Sequence, residues 1–157
     1  MAAAVRVGLI SDTHGLLRPE VAAFLQGSDR IIHCGDVCDP AVIRQLACIA
    51  PVSAVRGNND QGAWAEALPE SEMNRIGQIL TFVIHDIAML DIDPAALGVS
   101  VVLAGHSHKP SVVRRDGVIY LNPGSAGPRR FKLPISAAEL IIDSGTVRPR
   151  IVEFPDC

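Results

Sequence analysis

The stretch VRVGLISDTHG, from Val5 to Gly15, decides the fold. Its first part, Val5–Ile10, is a short run of mainly β-branched and apolar residues, and polar residues with a glycine end it. A run of this length and composition predicts a buried strand. Pro19–Leu25 then predicts a helix with proline near its first turn. A strand that leads into a helix in this way indicates a βαβ unit in a parallel sheet.

The strand–helix alternation continues over the first sixty residues. Arg30–His33 predicts a second strand, and Cys34-Gly35-Asp36 follows it. Asp39-Pro40 supplies an N-cap and a first-turn proline for a helix that runs to about Ala47. Val52–Val55 predicts a third strand, which ends at Gly57-Asn58-Asn59-Asp60.

The second half of the chain predicts hairpins instead. It also predicts a very short helix, which Asp93-Pro94 caps, and then a strand at Val99–Leu103. The Asp116-Gly117 pair is the strongest of the turn signals, because Asp-Gly favours a type I′ turn. The predicted hairpins are Met73–Ile76 with Ile79–Ile84, Ser111–Arg115 with Val118–Leu121, and Ala138–Ile142 with Val147–Phe154.

These elements predict an α/β fold of the α+β type, in which two β-sheets pack as a sandwich flanked by helices. Residues 1–157 are interpreted as a single domain. A chain of this length buries about 68–70% of its unfolded surface, which is enough for a core without disulfides or structural metals.

Composition excludes several classes of protein. Hydrophobic residues make up 48% of the chain and charged residues 20%, which excludes disorder. The net charge of −3 argues against a nonspecific nucleic-acid binder. No apolar run reaches the 18 or so residues that a membrane span needs, and the first residues are too short an apolar stretch for a signal peptide. Four cysteines without a C-x-x-C pair indicate reduced thiols, hence a cytoplasmic protein.

Side chains of the kinds that bind metals follow strand after strand, each time in a short polar loop. Ligands in α/β sheets gather outside the carboxyl ends of the strands, so we expect these side chains to meet. Two pairs are spaced i, i+2, and an extended loop would send both members of each pair to the same side. The candidates are Asp12, His14, Asp36, Asn58, His85, His106 and His108.

Seven candidates are too many for one structural zinc, which takes four ligands. They suit two ions that share a carboxylate, and mixed imidazole, carboxylate and amide ligation favours first-row metals over calcium or magnesium. Two divalent ions, the carboxylates of Asp12 and Asp36 and a bridging hydroxide would leave a net charge of about +1. A positive site of this kind accepts phosphate.

Five motif blocks in order carry a resemblance to a known family. They are Asp12-Thr13-His14-Gly15, Gly35-Asp36, Gly57-Asn58-Asn59-Asp60, His85 and Gly105-His106-Ser107-His108. This chain closely resembles the calcineurin-like metallophosphoesterases, from about Val5 to Phe154, and its length and Asn122-Pro123-Gly124-Ser125 resemble the family's small single-domain phosphodiesterase branch. The resemblance implies a four-layer fold, a β-sandwich flanked by helices. It also implies hydrolysis of a phosphoester by a hydroxide that bridges two divalent metals.

The resemblance assigns a role to each candidate. Asp12, His14 and His108 would hold the first metal. Asn58, His85 and His106 would hold the second, and Asp36 would bridge the two. Manganese is favoured, with iron, zinc or nickel as alternatives. The predicted catalytic residues are Asp36, Asn58 and Asn59.

The chain departs from the family's pattern at two positions. Many members have a histidine directly after the metal-ligating asparagine, where this chain has Asn59. An amide does not ionise usefully near neutral pH, so we expect slow turnover or substrates whose leaving group needs no proton. Asp86 follows His85, where relatives usually have glycine. Three interpretations of Asp86 stay open: an added ligand, a group that orients His85, or a group that repels substrate anions.

Other residues near the motifs have simpler interpretations. His33 is interpreted as a supporting or structural residue, and Cys34 and Cys38 as buried apolar packing. Asp60 would cap the next segment or orient a ligand. Arg56 would contact substrate or form a salt bridge. Arg129, Arg130 and Lys132 predict a solvated surface, with a phosphate contact by either arginine as the alternative.

Three functions remain distinct at this point. The first is a phosphoesterase that acts on a small phosphoester, with exposed apolar edges that would allow a homodimer. The second is a non-catalytic interaction scaffold of the same fold, like the eukaryotic retromer subunit. The third is a nuclease, against which the acidic charge balance and the absence of a recognisable basic run both count.

Overall fold

Two mixed five-stranded β-sheets form the framework in the computed structural model, which describes residues 3–157. Their orders are β10-β9-β1-β2-β3 and β4-β5-β6-β8-β7. In the first sheet β1, β2 and β3 are parallel, and in the second β5, β6 and β8 are parallel. In chain order the strands are β1 (Val5–Ile10), β2 (Arg30–His33), β3 (Val52–Ala54), β4 (Ser71–Ile76), β5 (Ile79–Ile84), β6 (Val101–Leu103), β7 (Ser111–Arg115), β8 (Val118–Asn122), β9 (Ser136–Asp143) and β10 (Thr146–Glu153).

The two sheets bury their inner faces against each other. Val7 and Leu9 of β1 belong to the same buried cluster as Val83 of β5 and Leu103 of β6, and all four are at most 1% exposed. Burial of each such side chain contributes about 1.5–3 kcal/mol, so this apolar layer is the main source of stability. The layer also fixes how the ends of the two sheets face each other.

Within residues 3–157, the α-helices cover the outer face of the first sheet. The helices are α1 (Pro19–Leu25), α2 (Pro40–Ala47) and α3 (Ala63–Glu66). Val21 of α1 and Val42 of α2 pack in one cluster with Ile10 and Ile31 of the sheet. Asp39 caps α2, since its Oδ1 accepts a hydrogen bond from the Ala41 N–H at 2.8 Å.

The outer face of the second sheet lies under the segment between β5 and β6. This segment contains a 3-10 turn, Ile87–Met89, and its residues Leu90 and Ile92 pack on Phe82 and Val102. The predicted fold class is therefore confirmed, with a thin fourth layer made of a loop and one short turn.

Most predicted elements are confirmed to within one or two residues, and one is wrong. Asp93-Pro94 starts a turn instead of a short helix: the Leu97 N–H donates to the Asp93 carbonyl, and Gly98, with φ of +76°, then redirects the chain. The Asp93 side chain still caps this turn, since its Oδ1 accepts from the Ala96 N–H at 3.3 Å. Within residues 3–157, no helix has the length and apolar character that a membrane crossing needs.

Candidate metal centre

Five loops meet where the carboxyl ends of the parallel strands face each other across the sandwich. The loops after β1, β2 and β3 come from the first sheet, and those after β5 and β6 from the second. Backbone hydrogen bonds tie them together, from Asp12 N–H to the Gly35 carbonyl at 3.0 Å and from Gly105 N–H to the His85 carbonyl at 2.9 Å. The loops carry every candidate predicted from the sequence: Asp12, His14, Asp36, Asn58, His85, His106 and His108.

The backbone of these loops is left-handed, so the predicted extended geometry is wrong. Five candidates have positive φ, from +46° at His14 to +70° at His106. For a residue with a side chain this conformation costs roughly 1–2 kcal/mol, and it persists only where the surroundings impose it. Here the hydrogen bonds between loops impose it. Asp12 and His14 still converge, with Asp12 Oδ1 3.9 Å from His14 Nε2. His106 and His108 do not: the first faces Asn58 and the second faces His14.

Two glycines allow the loops to approach closely. A side chain at Gly57 would overlap the backbone N and the carboxylate of Asp36. At Gly105 a Cβ would overlap the Ser11 hydroxyl and lie 2.7 Å from Asp12 Oδ2. Glycine is therefore required at both positions by space alone.

One cluster of ligand atoms forms around Asp12. This carboxylate is fully buried, and its Oδ2 accepts from the Ser11 hydroxyl at 2.7 Å and from the His106 N–H at 3.1 Å. Its Oδ1 has no hydrogen-bond partner. Oδ1 faces His108 Nε2 at 3.5 Å and His14 Nε2 at 3.9 Å, and the two imidazole nitrogens are 3.4 Å apart. Such an orphaned buried oxygen is costly unless a cation satisfies it.

A second cluster forms around Asn58. Its Oδ1 lies 3.0 Å from His85 Nε2 and 3.2 Å from His106 Nδ1. Asp36 Oδ2 is 3.4 Å from His85 Nε2 and 3.7 Å from His14 Nε2. Asp36 is thus positioned between the two clusters, as expected of a bridging carboxylate.

The tautomer of His85 shows why these atoms need a cation. His85 Nδ1 lies 2.7 Å from the Cys34 carbonyl, which can only accept, so Nδ1 carries the proton. In the neutral ring Nε2 is then an acceptor, and the oxygens of Asn58 and Asp36 that face it are acceptors too. Only a proton on Nε2 or a metal ion satisfies all three. Nitrogen and oxygen donors in this arrangement fit a pair of divalent first-row ions.

The acid–base properties of the cluster agree with strong coupling. Burial by itself would raise the pKa of Asp36, but its contact with the His85 ring and hydrogen bonds from Asn59 outweigh it and hold this pKa well below its usual range. Burial would lower the pKa of His85, whereas the carboxylates of Asp36 and Asp12 raise it. Burial dominates at Asp12 and raises its pKa. The pKa values of these side chains therefore depend mainly on their contacts with one another, since solvent is largely excluded.

Asp60 and His33 support the cluster from behind, as predicted. Asp60 Oδ2 accepts from the N–H groups of Asp36 at 3.0 Å and Gly57 at 2.8 Å, and Oδ1 accepts from Cys38 N–H at 2.7 Å. His33 accepts from Gly35 N–H at 3.1 Å and contacts the Thr13 hydroxyl at 2.9 Å. Both residues hold the loops without facing the ligand atoms.

Cys38 does not have its predicted role, and Asp86 faces a histidine other than His85. Cys34 is fully buried, as predicted, but Cys38 is half-buried and its Sγ lies 3.5 Å from His14 Nδ1, so apolar packing is wrong for it. Asp86 Oδ2 lies 3.7 Å from His106 Nε2, and its Oδ1 accepts from Ala88 N–H at 3.0 Å. The carboxylate therefore faces His106 and caps the 3-10 turn.

A cavity of about 650 Å³ opens beside the Asn58 cluster. Asn58, His85 and His106 line it on the metal side. Arg56 also lines it and forms a salt bridge with Glu70 at 2.9 Å, one of its two predicted roles. The cavity gives substrate-sized space directly against the candidate ligands.

The contacts that two serines make with Asp12 were not predicted from the sequence. Ser11 donates to Asp12 Oδ2, and the Ser125 hydroxyl donates to the Asp12 carbonyl at 3.0 Å. Serine is common in loops, so only the position of Ser11 directly after a buried strand offered a signal. For Ser125, which is distant in sequence, no local pattern points to Asp12.

Comparison with protein families gives one match over most of the chain. The model of the calcineurin-like phosphoesterase superfamily domain matches residues 5–145. The match includes all seven candidate ligands.

Two curated relatives carry related names. A probable metallophosphoesterase from Methanothermobacter thermautotrophicus is 32% identical over 158 aligned positions, covering 93% of this chain and 91% of that protein. A phosphodiesterase from Methanocaldococcus jannaschii is 27% identical over 140 positions, covering 76% of this chain and 83% of that protein.

Solved structures share the fold at lower identity. Vacuolar Protein Sorting 29 from Cryptosporidium parvum superposes with a TM-score of 0.77 at 21% identity, over 99% of this chain and 100% of that one. Its counterpart from Entamoeba histolytica, complexed with Zn²⁺, gives a TM-score of 0.74 at 23% identity, over 95% and 99%. The fold is thus shared beyond proteins named as phosphoesterases. The match to the family model and the relative of nearly equal length show that this chain belongs to the calcineurin-like phosphoesterase superfamily.

Proposed function

We propose that the protein is a metal-dependent phosphodiesterase that acts on a small phosphoester. Asp12, His14 and His108 would hold one divalent ion, Asn58, His85 and His106 a second, and Asp36 both. The observation that carries this proposal is the cluster of acceptor atoms from both sheets, in which Asp12 Oδ1 is buried without a partner. Two ions bound there would lower the pKa of a coordinated water to roughly 7 and would stabilise charge on the phosphoryl group.

Asn59 positions Asp36 in this proposal. Its backbone N–H donates to Asp36 Oδ1 at 2.8 Å, and its side-chain Nδ2 donates to Oδ2 at 3.0 Å. Both oxygens of the carboxylate are therefore oriented by one residue. The side-chain amide of Asn59 does not ionise near neutral pH, so it cannot protonate a leaving group.

Turnover should consequently depend strongly on the leaving group. General-acid catalysis is typically worth 10²–10⁴-fold, and a stable leaving group such as 4-nitrophenolate needs none of it. We expect kcat/KM for methyl 4-nitrophenyl phosphate to exceed that for methyl phenyl phosphate by roughly two orders of magnitude or more. Equal values for the two esters would show that another group protonates the leaving oxygen.

The direct test is hydrolysis of bis(4-nitrophenyl) phosphate with added Mn²⁺. Asp36→Asn keeps the shape of the side chain but removes the shared charge, so we expect this variant to lose nearly all activity. Asp116→Asn, in the exposed β7–β8 turn, is the matched control and should retain it. Equal rates for wild type and Asp36→Asn would refute the proposal.

A non-catalytic scaffold is the second candidate function. The fold likeness to Vacuolar Protein Sorting 29 supports it. The two candidates differ in one measurement: protein that binds two equivalents of Mn²⁺ yet hydrolyses no phosphodiester would favour the scaffold.

Manganese is the proposed metal, with iron, zinc or nickel as alternatives. The zinc complex of the Entamoeba histolytica structure shows that a protein of this fold binds a first-row divalent ion. Metal analysis of protein purified without added metal tests the identity of the ion.

A cytoplasmic location belongs to the same proposal. The four free cysteines, Cys34, Cys38, Cys48 and Cys157, support it.

A further inference from the structure

A basic loop is anchored at the rim of the metal centre. We call Arg129–Lys132 the basic arm. Its base is fixed to the loop that carries Asp12, because the Ser125 hydroxyl lies 3.0 Å from the Asp12 carbonyl and 3.2 Å from the Pro128 carbonyl. Gly127 lies so close to the Thr13 carbonyl that a side chain would overlap it. The arm therefore starts beside the loop that carries Asp12 and His14.

The tip of the arm presents an aromatic ring to solvent. The Leu133 N–H donates to the Arg130 carbonyl at 3.1 Å, which closes a turn with Phe131 as its second residue. Phe131 is 89% exposed and has φ of +54°. A left-handed conformation is unfavourable for a bulky side chain, and an exposed ring adds no burial to offset it. Packing of the fold therefore does not account for phenylalanine at this position.

Positively charged residues flank Phe131 in the sequence. Arg129 donates to the Cys157 carbonyl at 3.3 Å. Within residues 3–157, the side chains of Arg130 and Lys132 form no hydrogen bond or salt bridge. The arm therefore adds free positive charge next to the loop that carries Asp12.

The cavity beside Asn58 and His106 carries the reverse charge. Glu70, Asp86 and Asp91 line the cavity beyond His106, and the one arginine there, Arg56, is paired with Glu70. An additional anionic or electron-rich group on a substrate would be repelled from this side. It would be attracted to the side of His108 and the basic arm.

We propose that the basic arm is a substrate subsite that binds the nucleoside part of a small nucleotide ester. Phe131 stacks on the base, and Arg130 and Lys132 contact phosphate oxygens. Stacking of a base on an exposed aromatic side chain tolerates any base, and guanidinium groups match phosphate geometry. This inference rests on the proposed phosphoesterase function, since it assumes that a phosphoryl group occupies the metal centre.

The test compares two ligands that share a phosphate and differ in the nucleoside. Dissociation constants for thymidine 5′-monophosphate and methyl phosphate are measured by calorimetry with Mn²⁺ in excess. We expect wild type to prefer the nucleotide by about tenfold, which corresponds to about 1.4 kcal/mol. Phe131→Asn should lose this preference, because asparagine adopts the left-handed turn readily but has no ring. Phe131→Tyr should keep it.

Matched control variants separate the effects of the Phe131 ring and of the Arg130 charge from those of any exposed apolar or basic side chain. Leu97→Asn removes another exposed apolar side chain, in the turn before β6, and should leave the tenfold preference as in wild type. Arg130→Gln should weaken both ligands by a similar factor, whereas Arg114→Gln on β7 should weaken neither. An unchanged preference in Phe131→Asn, or no preference in wild type, would overturn the inference.

Failure of this inference can be distinguished from failure of the proposed function. Binding is read without turnover, so a nucleotide preference that depends on Phe131 supports the basic arm even in a protein that hydrolyses nothing. Conversely, hydrolysis of bis(4-nitrophenyl) phosphate that depends on Asp36, without any nucleotide preference, supports the phosphoesterase and contradicts the subsite.

Discussion

At the scale of single residues, Gly57 determines whether two loops can meet. A Cβ at this position would overlap both the backbone N and the carboxylate of Asp36. Gly57→Ala should therefore displace Asp36 and lower Mn²⁺ affinity by about 10–100-fold, the range seen when support around a metal ligand is lost. Isothermal titration measures the affinity, and far-UV circular dichroism should show an intact fold.

The matched glycine substitution is Gly98→Ala. Gly98 has φ of +76°, and a Cβ at this position would have no atom within 4 Å, so the variant costs backbone strain but leaves the metal loops alone. It should lower stability by about 1 kcal/mol with unchanged Mn²⁺ affinity. Wild-type affinity in Gly57→Ala would show that the loops adjust freely, contrary to the tight approach described above.

Glu139 links stability to pH at a distance from the metal centre. Its carboxylate accepts from Arg6 at 2.6 Å and from Arg150 at 2.7 Å. Burial would raise the pKa of Glu139, but the two arginines outweigh it and lower the pKa below 4.5. Because the folded-state pKa is depressed, these contacts contribute full stability above about pH 4.5, and the contribution is lost as the pH falls through the folded-state pKa.

The expected result is a pH-dependent effect of Glu139→Gln. We expect it to reduce the free energy of unfolding by about 1–3 kcal/mol at pH 7 and by clearly less at pH 3. Urea unfolding at both values measures this. Glu153→Gln, at the exposed end of β10, is the control and should change little. An equal loss at both values would mean that shape, not charge, accounts for the effect.

At the scale of elements, Asp60 joins the loops that follow β2 and β3. Three backbone N–H groups donate to its two oxygens, those of Asp36, Cys38 and Gly57. Asp60→Asn replaces one acceptor with an NH₂ group, which cannot accept. We expect about a 10–100-fold loss of Mn²⁺ affinity, with Asp116→Asn unchanged. Unchanged affinity in Asp60→Asn would contradict the role of this residue as the link between the loops.

Regular elements could be predicted from the sequence because their signals are local. β1 and α1 match their predicted bounds, since a β-branched run and a first-turn proline define them. The 3-10 turn at Ile87–Met89 has too few residues for a periodic pattern to show. The turn at Asp93 carries a cap, but Gly98, with φ of +76°, redirects the chain before a helix forms.

The candidate site was predictable in membership but not in geometry. Polar residues after successive strands identify Asp12 and Asp36, because parallel strands end at a common edge. Their left-handed backbone follows from hydrogen bonds to loops distant in the sequence, so no local pattern predicts it. Phe131 gave no signal as a site residue, because its exposure and its turn are properties of the folded chain.

At the scale of the whole molecule, the candidate metal centre connects the two sheets. Asp12, Asp36 and Asn58 follow strands of the first sheet, whereas His85 and His106 follow strands of the second. Without a cation, buried acceptor atoms of the two sheets face each other at this end of the sandwich. Bound ions would therefore stabilise the packing of one sheet on the other.

Addition of Mn²⁺ should accordingly raise the melting temperature of metal-free protein. A ligand at 100 times its dissociation constant contributes about 2.7 kcal/mol, and a chain of this size gains about 2–4 °C per kcal/mol, so a rise of roughly 5–10 °C is expected. Differential scanning calorimetry of chelator-treated protein measures it. Asp36→Asn should show a much smaller rise, because the shared carboxylate is missing. If Mn²⁺ raised the melting temperature of Asp36→Asn by the same amount, the ions would be binding elsewhere, and the end of the sandwich would not depend on them.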